Sequence, residues 1–428
     1  MLAAFITLLL IGLLAIGVPV AFALAVSGCV GLYQLGGLSQ MLGILDATPL
    51  SSVTSYELIT VPLFLLMAEL VIMSGVADDL FRAATIWVGR VPGGLGIATA
   101  LSGAGFGAIS GSSTASAATL SATSIPAMLR AGYEPKLACG VVAISGTLAM
   151  LIPPSIALVL FGLIADVSIG ALLIGGVIPG LLVTLTIALT VLYLVWRDPS
   201  RAPAGRSYTM RDKFLSLRVA GPMLVLLLAV TGVIYLGIAT PTEAAAIGAS
   251  GALGLTLWQR QLNYAKLRSA LLNAANTTCM ILMIIVGAKI FGYFLTLTQT
   301  TQFLITSVGA AHLDRWVVMA FLIAVYIVLG CLMDQIAILI LTVPVVLPLV
   351  TALGFDPVWF GVVVIVVAEI GMVTPPVGLN VFVVARYSGR SLEEIFGGIW
   401  PHVFAHLLLV ALLCLFPALI LWLPSTMR

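Results

Sequence analysis

Charge is what this chain has least of. Only 8% of its 428 residues are Asp, Glu, Lys or Arg, against a hydrophobic fraction of 61% and a mean hydropathy of +1.23. A soluble domain carries about 25% charged residues, so this sequence cannot present a wettable surface. The net charge of +2 gathers on no one face, which excludes nucleic acid as a partner. The five cysteines, Cys29, Cys139, Cys279, Cys331 and Cys414, lack CxxC spacing and support neither a disulfide framework nor a metal site. No GxxxxGK[ST] occurs, so the chain is not expected to hydrolyse ATP. HExxH and GxSxG are also missing, which leaves intramembrane hydrolysis without a candidate and points away from an enzyme. The start, Met1-Leu-Ala-Ala-Phe, lacks the basic region of a secretory signal and reads as the first span.

What remains is apolar sequence in stretches of the roughly 20 residues needed to cross a bilayer. Ten such stretches are expected, with two irregular regions, giving an all-α polytopic membrane protein without a soluble domain. The chain repeats itself at an offset of 222 residues. Pro19 pairs with Pro241, Pro126 with Pro348, Gly132 with Gly354, Pro135 with Pro357, Pro153-Pro154 with Pro375-Pro376, and Pro179 with Pro401. With 21 prolines in 428 positions, six matches in one ungapped register are not accidental. The units are 1–196 and 219–428, joined by a linker at 197–218.

Basic residues orient the two copies, because cytoplasmic loops hold excess Lys and Arg. The linker carries Arg197, Arg201, Arg206, Arg211, Lys213 and Arg218. Arg82, Arg90, Arg130 and Lys136 have no basic counterparts one repeat later, while Arg386 and Arg390 have none one repeat earlier. Five full spans plus one re-entrant hairpin per unit then place all but three of the 18 basic residues in the cytoplasm. The exceptions are Arg315, Lys289 and Arg428. Both termini fall outside, and the second unit is inverted, a hallmark of secondary transporters.

The first irregular region is the hairpin at 93–128, whose tip reads Gly103-Ala-Gly-Phe-Gly-Ala-Ile-Ser-Gly-Ser-Ser-Thr-Ala-Ser116. The second is 315–350, with Gly330-Cys-Leu-Met-Asp-Gln335 at its tip. Small and polar residues make a poor lipid-facing helix but suit a broken tip buried in protein. Each hairpin is followed by a span interrupted by Pro-Pro, which removes two backbone donors and breaks the helix. Paired discontinuous helices mark a midplane site. Sodium, a hard cation, is expected there. One site combines Ser110, Ser112 and Ser113 with carbonyls near Gly146 and Pro153; the other combines Asp334 and Thr374 with carbonyls near Gly371 and Val377. Asp334 is the sharpest candidate, since a carboxylate at membrane depth is costly; its alternative role is a carboxylate satisfied by nearby hairpin amides. Ser155 and Asn380 are expected to face the substrate between the sites. Glu69 and Lys289, on related spans, are expected to pair or snorkel. Glu243 at a helix start suits the dipole, Glu369 can tune the second break, and His402 and His406 lack a third ligand.

The tip Ile109-Ser-Gly-Ser-Ser-Thr-Ala-Ser116, the helix start Pro241-Thr-Glu-Ala-Ala-Ala-Ile-Gly-Ala249 and the two Pro-Pro segments together resemble, from end to end, the large membrane subunit of the tripartite ATP-independent periplasmic (TRAP) transporters. The resemblance implies a bacterial inner-membrane, sodium-driven importer of carboxylates such as dicarboxylates or sialic and other sugar acids. It also implies a periplasmic binding protein and a small four-span membrane subunit as partners. The implied fold is an elevator, with a transport domain at about 93–165 and 315–385 sliding against a scaffold. The alternatives are a stand-alone sodium–dicarboxylate symporter, disfavoured because the tip reads Ser-Gly-Ser-Ser rather than Ser-Asn-Thr, and a membrane-embedded assembly subunit whose hairpins only pack.

Overall fold

The computed structural model describes every residue except Met1, Ala204, Arg206 and Arg428. The first residue of the expected first span, one linker arginine and the basic carboxy terminus therefore lie outside the described residues. The described residues hold helices and no strand. In the first unit the order is α1 (Leu2–Ala15), α2 (Val20–Val53), α3 (Thr60–Met73), α4 (Val76–Val88), α5 (Gly94–Ser110), α6 (Ser113–Arg130), α7 (Pro135–Thr147), α8 (Ile156–Ala165), α9 (Ile169–Gly175) and α10 (Val177–Arg197). The second runs α11 (Met210–Tyr235), α12 (Pro241–Trp258), α13 (Tyr264–Leu297), α14 (Thr300–Ala310), α15 (Arg315–Leu332), α16 (Gln335–Ala352), α17 (Pro357–Gly371), α18 (Leu379–Ser388), α19 (Leu392–Leu415) and α20 (Ala418–Ser425).

Local chemistry sets these boundaries. Thr240 caps α12 while Glu243 returns to the Thr240 amide at 2.8 Å, a capping box with Pro241 in the first turn, where its missing N–H costs nothing. Glu243 is thus spent on the helix start, as its position suggests. Pro135 and Pro357 open α7 and α17 in the same way. Asp356 caps α17 by accepting from Val358 at 2.8 Å and Trp359 at 3.0 Å.

Positions 222 apart repeat their local structure. α6 and α16 begin and end one repeat apart. Gly132 (φ +85°) and Gly354 (φ +83°) close the turns after them, and both Pro-Pro bonds are cis. The copies are not identical. α2 is bent at Gly36 and Gly37, the latter at φ +68°, where one repeat later α12 ends; the first copy then breaks again before α3, where α13 of the second runs unbroken for 34 residues. The first copy carries Ser51-Ser-Val-Thr-Ser55 where the second carries Asn273-Ala-Ala-Asn-Thr277, and hydroxyl and β-branched residues favour the helix less than alanine does.

Packing exchanges elements between the copies. α2 lies along α13, and α12 along α3. Gly28 abuts Ile290 and Phe291, Gly31 the Phe294 ring, and Gly287 the Ala21 carbonyl, so backbones approach closely, as small residues allow in membranes. Thr60 and Thr242 join their hydroxyls at 2.7 Å. A smaller core forms where α1, α2 and α13 meet Ile340 of α16; the larger one holds the hairpins and broken helices. Every residue of α7 from Leu137 and of α17 from Trp359 is buried, so these helices face protein on all sides.

Ten full spans are expected; among the described residues eight helical stretches, Tyr56–Met73 and Ile169–Arg197 being composite, are long and apolar enough to cross a membrane, and two of the eight, α15 and α16, are hairpin arms. The difference has a plain cause. The breaks divide their spans into apolar pieces such as Ile156–Ala165 and Pro357–Gly371, each too short to cross alone. The start of the linker is tied to the turn before α7: Glu134 donates its amide to the Arg201 carbonyl at 2.8 Å. Hydrogen bonds from Ser200 hold the Asp198 carboxyl below its ordinary range.

Candidate functional site

The first hairpin turns in two residues. α5 ends at Ser110, Gly111 takes φ +55°, and Ser112 caps α6 by accepting from the Ala115 amide at 3.3 Å. Glycine suits position 111. The left-handed conformation suits it, and a Cβ there would stand 2.8 Å from Ile156 Cδ1, so the tip rests on the first turn of α8. Ser110 and Ser116 join hydroxyls across the tip at 2.6 Å, and Ser110 also donates to the Gly107 carbonyl at 3.3 Å.

The first break passes through a short 3-10 turn, Leu148–Met150, to Ser155. The Ser155 hydroxyl donates to the Met150 carbonyl and accepts from the Leu158 amide at 3.3 Å, closing the gap and starting α8. Hairpin and break touch through small residues: a Cβ on Gly103 would meet the Ser145 carbonyl at 2.9 Å, and one on Gly146 the Ala117 Cβ at 2.8 Å. Ser110, Ser113, Gly146, Pro153 and Ser155 are all buried, and Ser112 is half-buried. The first hairpin and the first break are thus in contact at Gly103, Gly111 and Gly146.

The second break binds to its own hairpin tip. The Thr374 hydroxyl donates to the Gly371 carbonyl at 3.0 Å and lies 3.1 Å from Cys331 Sγ. The Gly378 amide donates to the Cys331 carbonyl at 3.4 Å. Gly330 and Gly371 meet backbone to backbone, a Cβ on Gly371 standing 2.5 Å from Gly330 Cα. Val377 is half-buried beside them. Asp334 stands differently. It is exposed and caps α16, accepting from Ile336 at 2.9 Å and Ala337 at 3.2 Å, with no hydrogen bond to Thr374.

One contact crosses between the copies at this depth. Asn380, at the start of α18, donates from Nδ2 to Ser113 Oγ at 2.7 Å and to the Ala143 carbonyl at 3.5 Å. All three residues are fully buried. In the second copy Gln335 donates to the Ile365 carbonyl at 3.3 Å; Gln335 and Ile365 are the repeat mates of Ser113 and Ala143. The same carbonyl is thus held by an amide in each half, from within the half in one case and from across it in the other. The exchange extends to whole helices, since α6 packs on α18 and α16 on α8. Gln335 was not among the expected site residues, although its place one repeat after Ser113 marks it. Ser155 and Asn380 share no hydrogen bond.

The site has acceptors to spare. Ser145 Oγ, Gln335 Oε1, Glu369 Oε1 and Asn380 Oδ1 are buried without a hydrogen-bond partner. An orphaned buried polar atom costs about 1–3 kcal/mol, and a hard cation, which takes oxygen ligands, would satisfy such atoms. Elsewhere, Glu69 accepts from Asn273 at 3.1 Å rather than from Lys289, which lines a cavity. His406 Nδ1 pairs with the His402 carbonyl at 2.8 Å. Among the described residues no group of three His, Cys, Asp or Glu is placed to hold a metal.

Residues 7–419 match the family described as the tripartite ATP-independent periplasmic transporter, DctM component. The C4-dicarboxylate TRAP transporter large permease protein DctM of Pseudomonas aeruginosa is 35% identical over 371 residues, 86% of each chain. The sialic acid TRAP transporter large permease protein SiaM of Vibrio cholerae is 32% identical over 97% of this chain and 96% of its own. Among solved structures, the Alcanivorax borkumensis YdaH transporter superposes with a TM-score of 0.63 at 15% identity, covering 94% of this chain and 98% of that one. This last likeness speaks for the fold.

Proposed function

The chain belongs to the DctM component family of the tripartite ATP-independent periplasmic transporters, and on that premise we propose that it is a sodium-coupled importer of organic acids. In this reading it receives a carboxylate from a periplasmic binding protein and works in the bacterial inner membrane with a small four-span subunit. The two copies are inverted, both termini are periplasmic, and 93–165 with 315–385 move as an elevator against the remainder. The chemistry of the tips gives the coupling. Sodium at Ser110, Ser112, Ser113 and the carbonyls near Gly146 and Pro153 fixes the first hairpin to its break. Sodium at Asp334, Thr374 and the carbonyls near Gly371 and Val377 does the same for the second. Ser155 and Asn380 face the substrate between them.

The observation that carries the reading is the Asn380–Ser113–Ala143 bridge. It ties the second break to the first tip, so an ion ordering one tip alters the other, and a bound acid between them feels both. Each sodium entering across 100 mV gains about 2.3 kcal/mol, so two ions can accumulate one organic anion. No hydrolysis of ATP enters this scheme.

Uptake of radiolabelled acids into proteoliposomes tests it, with inward sodium and the cognate binding protein supplied or withheld. Uptake that needs both is the expected result. Uptake without the binding protein would replace this reading with a stand-alone symporter.

A further inference from the structure

A cavity of ≈ 880 Å³ opens away from the hairpin tips, between α2, α3, α12 and α13 on one side and α8, α9 and α16 on the other. Its size suits a small organic ligand. Three connections bound it, at 51–60, 166–170 and 237–242, and none holds a Lys or Arg. At the opposite ends of α12 and α13 stand Arg260, in the loop between them, and Lys266 and Arg268, in the first turns of α13. By the distribution of basic residues the mouth faces away from the cytoplasm.

Lys289 lines this cavity. It stands eight residues before the end of α13, about 12 Å into the helix at 1.5 Å per residue. Among the described residues no carboxylate lies within 4.0 Å of its amine. Its side chain is exposed to this space, and charges within spanning helices face water-filled cavities and mark ligand pathways. Around it stand neutral hydroxyls, including Tyr56, Tyr293, Thr296 and Thr301. Glu57 and Asp166, both exposed, line the same space, so a second negative charge on a ligand would meet carboxylates.

We propose that this cavity is an entry-side binding site for a hydroxylated monocarboxylate, the Lys289 ammonium receiving its carboxylate and the surrounding hydroxyls its hydroxyl groups. The site rests on the carrier reading above and narrows it. It lies apart from the sodium clusters, on the route an acid takes from the mouth to the hairpin tips.

The test uses the complex with its small subunit in nanodiscs, with Lys289 modified by an amine-directed reagent and read by peptide mass spectrometry. Gluconate is expected to slow modification strongly, and succinate to do so about tenfold less well. Equal protection by succinate overturns the monocarboxylate assignment, and protection by neither overturns the site. In proteoliposomes, Lys289→Gln is expected to raise KM for the delivered acid by about tenfold, the loss of one charge-assisted contact, with Vmax retained and KM largely restored in Lys289→Arg. Unchanged KM in Lys289→Gln overturns the proposal alone, whereas a wild-type complex that imports no carboxylate overturns the carrier reading.

Discussion

Asp334 has a role the structure shows and a second that is proposed, and substitution separates them. Its carboxylate caps α16 through two amides, and in the proposed site it is also a sodium ligand. Asp334→Ala removes both and is expected to cost about 1 kcal/mol of stability from the lost cap, together with uptake. Asp334→Asn keeps a capping oxygen and removes the charge. It is expected to keep the melting temperature while the sodium concentration for half-maximal uptake rises at least about tenfold; full activity in this variant would leave the carboxylate as a cap only. Asn380 gives a second residue test. Asn380→Leu leaves Ser113 Oγ and the Ala143 carbonyl without their donor, at about 1–3 kcal/mol. Uptake is expected to fall far more than expression, and sodium dependence measured at both sites should become less cooperative. The tip serines, the Pro-Pro pairs and Asp334 were legible as the places where hairpins turn and helices break, because polar or helix-breaking residues stand out in apolar sequence. What Asp334 bonds to was not legible, since a cap and an ion ligand draw on the same oxygens.

At the scale of elements, the hairpins and breaks are held by backbone proximity. Gly371→Ala would set a methyl 2.5 Å from Gly330 Cα, where only backbone can yield. A marked fall in melting temperature and loss of uptake are expected. Gly254→Ala in α12, with open space at its Cβ, is expected to be neutral or mildly stabilising by about 1 kcal/mol, as alanine favours helix. Thermal unfolding of both variants in detergent checks the contrast. The boundaries of these elements were readable from punctuation: Gly132, Gly354, Pro135 and Pro357 each begin or end a helix where the repeat register puts them. The bend at Gly36 and Gly37 and the uninterrupted run of α13 were not, because the bend and the straight course depend on which neighbour each helix lies against. The eight long helices likewise differ from the ten spans expected, since hydropathy counts a broken span as one apolar stretch and the backbone divides it.

For the whole molecule, orientation is the decisive property. In a chain whose five cysteines are replaced, Ala131→Cys and Ala352→Cys sit in near-equivalent turns of the two copies. Inverted copies predict that a membrane-impermeant thiol reagent labels Ala352→Cys in intact cells and Ala131→Cys only after permeabilisation; parallel copies predict the same result for both. The exchange of partners, α6 on α18 and α16 on α8, was beyond the sequence: a register shows that two copies exist and is silent on which surfaces they trade.

α2 and α13 each extend over 34 residues. Drawn straight, such a helix is about 51 Å long, while hydrocarbon is about 30 Å thick. α2 sheds its excess at the glycine bend; α13 has no such joint, so its surplus turn by turn must lean or emerge into the headgroups. Bilayer thickness thereby becomes a mechanical input to one copy more than to the other. In thin membranes α13 is expected to tilt further against α2, so that uptake in proteoliposomes should vary with the acyl-chain length of the host lipid.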